Sequence, residues 1–194
     1  MKKNKYIINE KKAEMIIESK KYGSVKVTID IDDIEKCSRL TWHYGKNKDS
    51  QYIQARDKGK MIKLHRYIMR VEDSSVLVDH INRDTLDNRK CNLRLCNYQE
   101  NSFNRSKRKD NTTGVIGVDW NKNAKRWRAK IKYNNVIIHL GYFKDLEEAA
   151  LNRRIAEEIL FGEYSPNKAI EMADDELRQK AIYNVETRIK NKIV

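Results

Sequence analysis

An aspartate and a histidine stand side by side at Asp79-His80, with Asn92 and then Asn101 downstream. The surrounding text reads Val78-Asp79-His80-Ile81-Asn82-Arg83-Asp84, then Asp87-Asn88-Arg89-Lys90-Cys91-Asn92-Leu93-Arg94, then Gln99-Glu100-Asn101. A base, a carboxylate and an amide oxygen spaced in this way can hold one hard metal ion beside a water molecule. Phosphodiester hydrolysis needs that set: water must lose a proton and the leaving oxygen must be stabilised. His80 can take the proton, because an imidazole titrates near neutrality. Asp79 and the side-chain oxygen of Asn101 are hard ligands suited to Mg²⁺ or Mn²⁺. Two protein ligands leave positions open for water and substrate. In a strand, adjacent Asp79 and His80 point to opposite faces, so one can hold the metal while the other addresses the nucleophile. Asn92 can hold either His80 or the loop by side-chain hydrogen bonds.

Taken alone, an Asp-His pair is more often a surface turn than a catalytic one, and Asn-rich stretches are usually loops. Composition adds a partner. The chain has 194 residues and a net charge of +13 at pH 7, a balance that attracts polyanions in a salt-sensitive way. Lysine, asparagine and isoleucine are abundant, as in any protein from an AT-rich genome, so charge alone does not identify the polyanion. Charged residues make up 36% of the chain, so its cores must be small. Cys37, Cys91 and Cys96 form no Cys-x-x-Cys pair, which argues against a disulfide framework and a four-cysteine zinc site. Cys91 and Cys96 read as small packing residues. No apolar run is long enough to span a membrane and no leader follows the N-terminal lysines. The expected location is a reducing cytoplasm, with no obligatory protein partner.

The elements that must position these residues come first in the chain. Tyr6-Ile7-Ile8, Met15-Ile16-Ile17 and Val25-Lys26-Val27-Thr28-Ile29 have strand composition. A short helix is expected to begin at Asp30-Ile31-Asp32-Asp33, with an Asp as cap, and to run to Leu40. Further strands are expected at 42–44, 52–56 and 61–63, and a helical turn or two over 64–71. Trp42 reads as core; His43 and His65 are ambiguous between structure and function. The run 105–114 has no apolar residue, as in a solvated connection or a backbone-tracking arm. A second pattern follows it. Gly117-Val118-Asp119-Trp120 starts one strand; Arg126-Trp127-Arg128-Ala129-Lys130-Ile131-Lys132-Tyr133 alternates strictly; Val136-Ile137-Ile138-His139-Leu140-Gly141 is a third strand. Asn134-Asn135 marks a hairpin turn. A helix should open at Leu146 and run to about Phe161. Trp127, Ala129 and Ile131 then share the face that packs on it, and Arg126, Arg128, Lys130 and Lys132 line the other. A sheet presenting such a face can lie in a major groove. In the tail, Ile170, Ala173, Leu177, Ala181, Val185, Ile189 and Ile193 recur at helical steps. That amphipathic helix can pack on the second sheet, seam a dimer or contact DNA.

From about residue 22 to 104 the chain resembles the HNH nuclease family found among phage and intron-encoded homing endonucleases. The resemblance rests on Asp79-His80, Asp87-Asn88-Arg89, Asn92-Leu93-Arg94, the helix start at Gln99-Glu100-Asn101 and the upstream Leu64-His65-Arg66 segment. It implies His80 as general base, Asp79 and Asn101 as metal ligands, and Asn92 as the residue orienting the base. The last motif position is Asn101 rather than histidine, as in the phage homing branch, which makes Mg²⁺ a better resident than Zn²⁺. Residues 113–168 resemble the apetala/ethylene-response-factor DNA-binding family. That resemblance rests on Gly117-Val118, Trp127-Arg128-Ala129, His139-Leu140-Gly141-Tyr142-Phe143 and Glu147-Glu148-Ala149-Ala150. It implies DNA contacts by Asp119, Asn121, Arg126, Arg128, Lys130, Lys132 and His139. Plant members place arginines in the first strand, where this chain has Ile116 and Asp119, so their target sequence does not transfer.

These readings predict an α+β protein: a ββα-metal HNH nuclease module at 1–105 with its motif at 79–104, a basic linker at 106–113, a three-stranded sheet packed on one helix at 114–168, and an amphipathic helix at 169–194. The expected function is metal-dependent, site-specific hydrolysis of double-stranded DNA, as in a phage homing endonuclease. The alternative is a DNA-binding regulator with an inactive or structural nuclease module. The sequence keeps Asp79, His80, Asn92 and Asn101 together, which argues against that alternative. An RNA-binding role ranks below both, because the alternating strand lacks exposed aromatics for base stacking.

Overall fold

A computed structural model of the chain describes residues 3–46, 51–104, 111–165 and 175–193. It is α+β, with small antiparallel sheets and helices in two compact units, Met1–Asn101 and Ser102–Val194. The expected basic linker at 106–113 lies mostly outside the described residues.

The first unit begins with a meander of β1 (Lys5–Asn9), β2 (Lys12–Ser19) and β3 (Gly23–Ile29). Period-2 alternation sends Ala13, Met15 and Ile17 of β2, and Val27 and Ile29 of β3, into the core. A 3-10 turn at Ile31–Asp33 and α1 (Ile34–Cys37) follow. The expected helix to Leu40 therefore ends early. The expected aspartate cap is not made: neither Asp30 nor Asp33 caps with its side chain, and the Asp30 carboxylate accepts a hydrogen bond from the Lys90 amide at 2.8 Å. A second meander comprises β4 (His43–Lys46), β5 (Gln51–Asp57) and β6 (Lys60–Lys63). Directly after it comes α2 (Leu64–Ile68). Trp42 is core, as expected, and its indole N–H donates to the Cys37 carbonyl at 2.9 Å. The unit closes with a two-stranded ribbon of β7 (Leu77–His80) and β8 (Leu93–Cys96), then α3 (Tyr98–Phe103), within which the unit boundary falls. Of the two cysteines read as packing residues, Cys96 is buried but Cys91 is exposed.

In the second unit β9 (Val118–Asn121), β10 (Arg126–Tyr133) and β11 (Val136–Phe143) form a sheet in the order β11-β10-β9. Asn134 and Asn135 both adopt positive φ, 47° and 63°, the two-residue turn whose twist matches a hairpin. Ala129, Ile131, Ile138 and Leu140 pack with Ala149, Ile155 and Ala156 of α4 (Leu146–Phe161). Trp127 lies partly buried against the same core. Gly117 (φ 78°) starts the sheet where a Cβ would strike the Lys130 carbonyl oxygen and the Arg153 side chain. The last helix, α5 (Asp175–Ile193), packs on this unit through Ala181 and Val185. Of the other positions in its predicted stripe, Ile189 is partly buried, Leu177 and Ile193 are exposed, and Ile170 and Ala173 lie outside the described residues. No helix among the described residues is long and apolar enough to cross a membrane.

Candidate active site and candidate nucleic-acid interface

Asp79 and His80 end β7, Asn92 lies just before β8, and residues 81–92 form the loop between the strands. Such a long polar loop is normally mobile, but here polar side chains replace secondary structure. The Asn92 side chain accepts from the Asn82 amide at 2.9 Å and donates to the Asn82 side-chain oxygen at 2.9 Å and the Asp87 carbonyl at 2.8 Å. Arg89 forks onto Asp87 at 2.8 and 2.7 Å. The loop is also fastened to β3: the Thr28 amide donates to Leu86 and the Asn88 amide donates to Thr28, each at 2.8 Å. Lys90 pairs with buried Asp33 at 2.7 Å.

Asn92 therefore holds the loop. A side chain placed against His80 is Asn88, which the sequence reading had assigned no role. Its Oδ1 lies 3.4 Å from His80 Nε2. The amide orientation is set by its other end, because Asn88 Nδ2 donates to the Thr85 carbonyl at 3.0 Å. The oxygen thus faces the ring, which favours the tautomer with hydrogen on Nε2 and the basic lone pair on Nδ1. Asn88 is 1% exposed and His80 5%. Burial lowers the pKa of His80, partly offset by Asn88 and the carboxylates of Asp79, Asp84 and Asp87. A histidine held in this way is neutral at pH 7 and competent as a base.

The Leu64-His65-Arg66 segment builds the wall behind it. Leu64 is in the core. The His65 ring packs edge-on against His80, with centroids 5.2 Å apart, and Tyr52 covers its other side at 5.4 Å. Arg66 donates to the Val76 and Asp73 carbonyls at 2.6 and 2.7 Å, fixing the approach to β7. His65 is thus a buried packing partner of His80. Burial first, then the charges of His80, Lys63 and Arg66, push its imidazole down to about 3. Because this value is below the unfolded one near 6.5, its contribution to stability is complete above about pH 6.5. It is lost as pH falls from there toward about 3. The midpoint of thermal unfolding should fall across that window, and His65→Leu should show a shallower fall. Equal slopes for parent and variant would show that His65 charges without cost.

Asp79 faces Arg94, its cross-strand neighbour, whose Nε and Nη2 lie 3.0 and 2.8 Å from Asp79 Oδ2. Asn101 is exposed on α3. That helix starts with a capping box: Asn97 Oδ1 accepts from the Gln99 and Glu100 amides, and the Glu100 carboxylate accepts from the Asn97 amide. Among the described residues no three His, Cys, Asp or Glu side chains gather as a metal cluster. The oxygen donors expected from the sequence are Asp79 and the Asn101 amide. They suit a hard cation that keeps water ligands and do not suit zinc.

In the second unit, Arg126, Arg128, Lys130 and Lys132 lie on the sheet face opposite α4. His139 is exposed on β11, in register with Lys130. Asp119 sits among the cations, 2.6 Å from Arg128 and 3.4 Å from Lys130. Burial would raise its pKa, but Arg128 and Lys130 hold the carboxyl below its usual value. Asn121 shapes the β9–β10 turn, its Oδ1 accepting from the Ala124 amide at 2.8 Å.

No protein-family profile and no solved structure matches the chain. Protein 3.8 of Escherichia phage T7 is 39% identical over 54 residues, 28% of this chain and 45% of that protein. An uncharacterized HNH endonuclease of Acanthamoeba polyphaga mimivirus is 34% identical over 146 residues, 72% of this chain and 73% of that protein. With this similarity along most of both chains, and with a buried histidine beside an aspartate on a two-stranded ribbon, the chain belongs to the HNH endonuclease family.

Proposed function

We propose that the chain is a metal-dependent endonuclease that hydrolyses phosphodiester bonds in double-stranded DNA, at a site chosen by its second unit. The observation that carries this is the buried His80, held against Asn88 and next to the Asp79 carboxylate. In this reading β7, β8 and α3 are the ββα-metal module. His80 Nδ1 takes the proton from water, and Asn88 holds the ring while it does so. Asn92 and the Asp87–Arg89 pair keep the loop in place. Asp79 and Asn101 would hold Mg²⁺ or Mn²⁺. A bound divalent cation supplies charge neutralisation on the scissile phosphate and the departing oxygen. The contact between Arg94 and Asp79 keeps the carboxylate compensated before a cation arrives. The second unit resembles the apetala/ethylene-response-factor type, and its cationic sheet face reads the duplex. Joining an HNH module to a separate DNA reader is what a phage homing endonuclease requires.

The test is cleavage of the source genome or a plasmid library against Mg²⁺ concentration. EDTA should stop the parent enzyme. Asp79→Ala and Asn101→Ala should each cut more slowly and need more Mg²⁺. If EDTA leaves cutting intact, or if neither substitution moves the rate or the titration, this metal site is wrong.

A further inference from the structure

A groove of about 660 Å³ opens in the second unit between the end of β11, α4 and α5. Four cations line it: Arg126, Lys144, Lys180 and Arg188, against one carboxylate, Glu148. All four cations are exposed, and among the described residues none is paired with a carboxylate. Tyr142 and Tyr183, 50% and 75% exposed, stand at the same groove. Its far wall is rigid. Asn184 Nδ2 donates to the Leu140 carbonyl at 3.0 Å and to Asn152 Oδ1 at 2.6 Å, while Ala181, at the edge of the groove, and Val185 anchor α5 in the core. Lys180, Tyr183, Asn184, Thr187 and Arg188 therefore form one fixed helical face. Arg126 belongs both to this groove and to the cationic sheet face, so the two positive surfaces are continuous.

We propose that this groove takes the sugar–phosphate backbone of duplex DNA flanking the stretch that lies on the sheet, with Lys180 and Arg188 of α5 as its phosphate contacts. The inference rests on the reading of the second unit as a DNA binder and adds a second contact surface to it. Excess positive charge without internal partners is what a phosphate track requires. The exposed Tyr142 and Tyr183 hydroxyls beside the cations can donate to phosphate oxygens, whereas Asn184 and Thr187 already donate within the protein. A helix held by two buried side chains and an amide clamp presents its donors with little ordering left to do on binding.

The experiment measures binding of the full chain to a random-sequence duplex and to a single strand of the same length, at several salt concentrations without divalent metal. Lys180→Ala/Arg188→Ala is compared with Lys190→Ala/Lys192→Ala, which removes equal charge from α5 outside the groove. Circular dichroism establishes that both variants fold. The groove variant should lower the salt slope on duplex by about two units, at about 0.9 per phosphate contact. Its affinity at about 0.1 M salt should fall roughly tenfold to a hundredfold. The control should move neither by more than about half as much. Equal effects of the two variants, no effect of the groove variant, or a loss confined to the single strand would each overturn the proposal. If the parent itself fails to bind duplex, the reading of the second unit as a DNA binder falls with it. If the parent binds and the groove variant matches it, only the groove assignment falls.

Discussion

His80→Ala is expected to slow cleavage by roughly a hundredfold to ten-thousandfold, the usual cost of losing a general base, with DNA affinity nearly unchanged. His80 Nε2 faces Asn88 Oδ1, and burial keeps the ring neutral. The substitution removes the base and leaves the loop standing, because the loop is held by Asn92, Asp87 and Arg89. Asn88 acts through His80, so Asn88→Ala should cut less well than the parent but better than His80→Ala. The double variant should be no slower than His80→Ala, since residues acting as one unit are not additive. Single-turnover rates at saturating Mg²⁺, with binding measured in parallel, provide the check. A His80→Ala enzyme retaining more than about a tenth of the parent rate would sink the base assignment. An Asn88→Ala effect that survives unchanged in the His80→Ala background would sink the positioning role.

Strands with clean alternation were legible in the sequence because burial follows period 2. Val27, Ile29, Ala129 and Ile131 are buried where that pattern puts them. The Asn134-Asn135 turn was legible because asparagine tolerates positive φ. The roles of polar residues inside the motif were harder to read. Asn88 and Asn92 lie four residues apart in one loop, and no periodicity says which amide reaches the histidine. The choice is made by Asn92 bonding across the loop to Asn82 and by Asn88 being drawn onto Thr28 of β3, sixty residues earlier in the chain. The same long-range fastening keeps Asp30, one of the aspartates that could have capped the expected helix, from doing so. Its carboxylate reaches the Lys90 amide, and the helix it was to start is one turn long. Arg94 carried a usable signal. Once a ribbon pairs 77–80 with 93–96, Asp79 and Arg94 must face each other, but no local pattern in the sequence gives that register.

On the second unit, Arg126→Ala/Arg128→Ala should lower duplex affinity by a few kcal/mol if both residues reach base edges, at about 1–3 kcal/mol each. If both touch only phosphates, binding should weaken evenly on all sequences and the salt slope should fall by about one unit per contact. The two arginines are not equivalent. Arg126 is exposed, whereas Arg128 lies 2.6 Å from Asp119, with Lys130 3.4 Å from the same carboxylate. Removing Arg128 takes away a cation and also leaves Asp119, compensated by Lys130 alone, pointing at an approaching polyanion. Arg128→Ala should therefore cost more than Arg126→Ala, and adding Asp119→Asn should recover part of the difference. Asp119→Asn alone should tighten binding, because it removes the negative charge from a face that otherwise presents four cations. Isotherms for each variant on target and scrambled duplexes, at several salt concentrations, separate these outcomes. If affinity and slope are unchanged in the double variant on both duplexes, the cationic face is a solvated surface. If Asp119→Asn weakens binding, the carboxylate is positioning Arg128 for a base edge, and the loss should then appear on the target duplex alone.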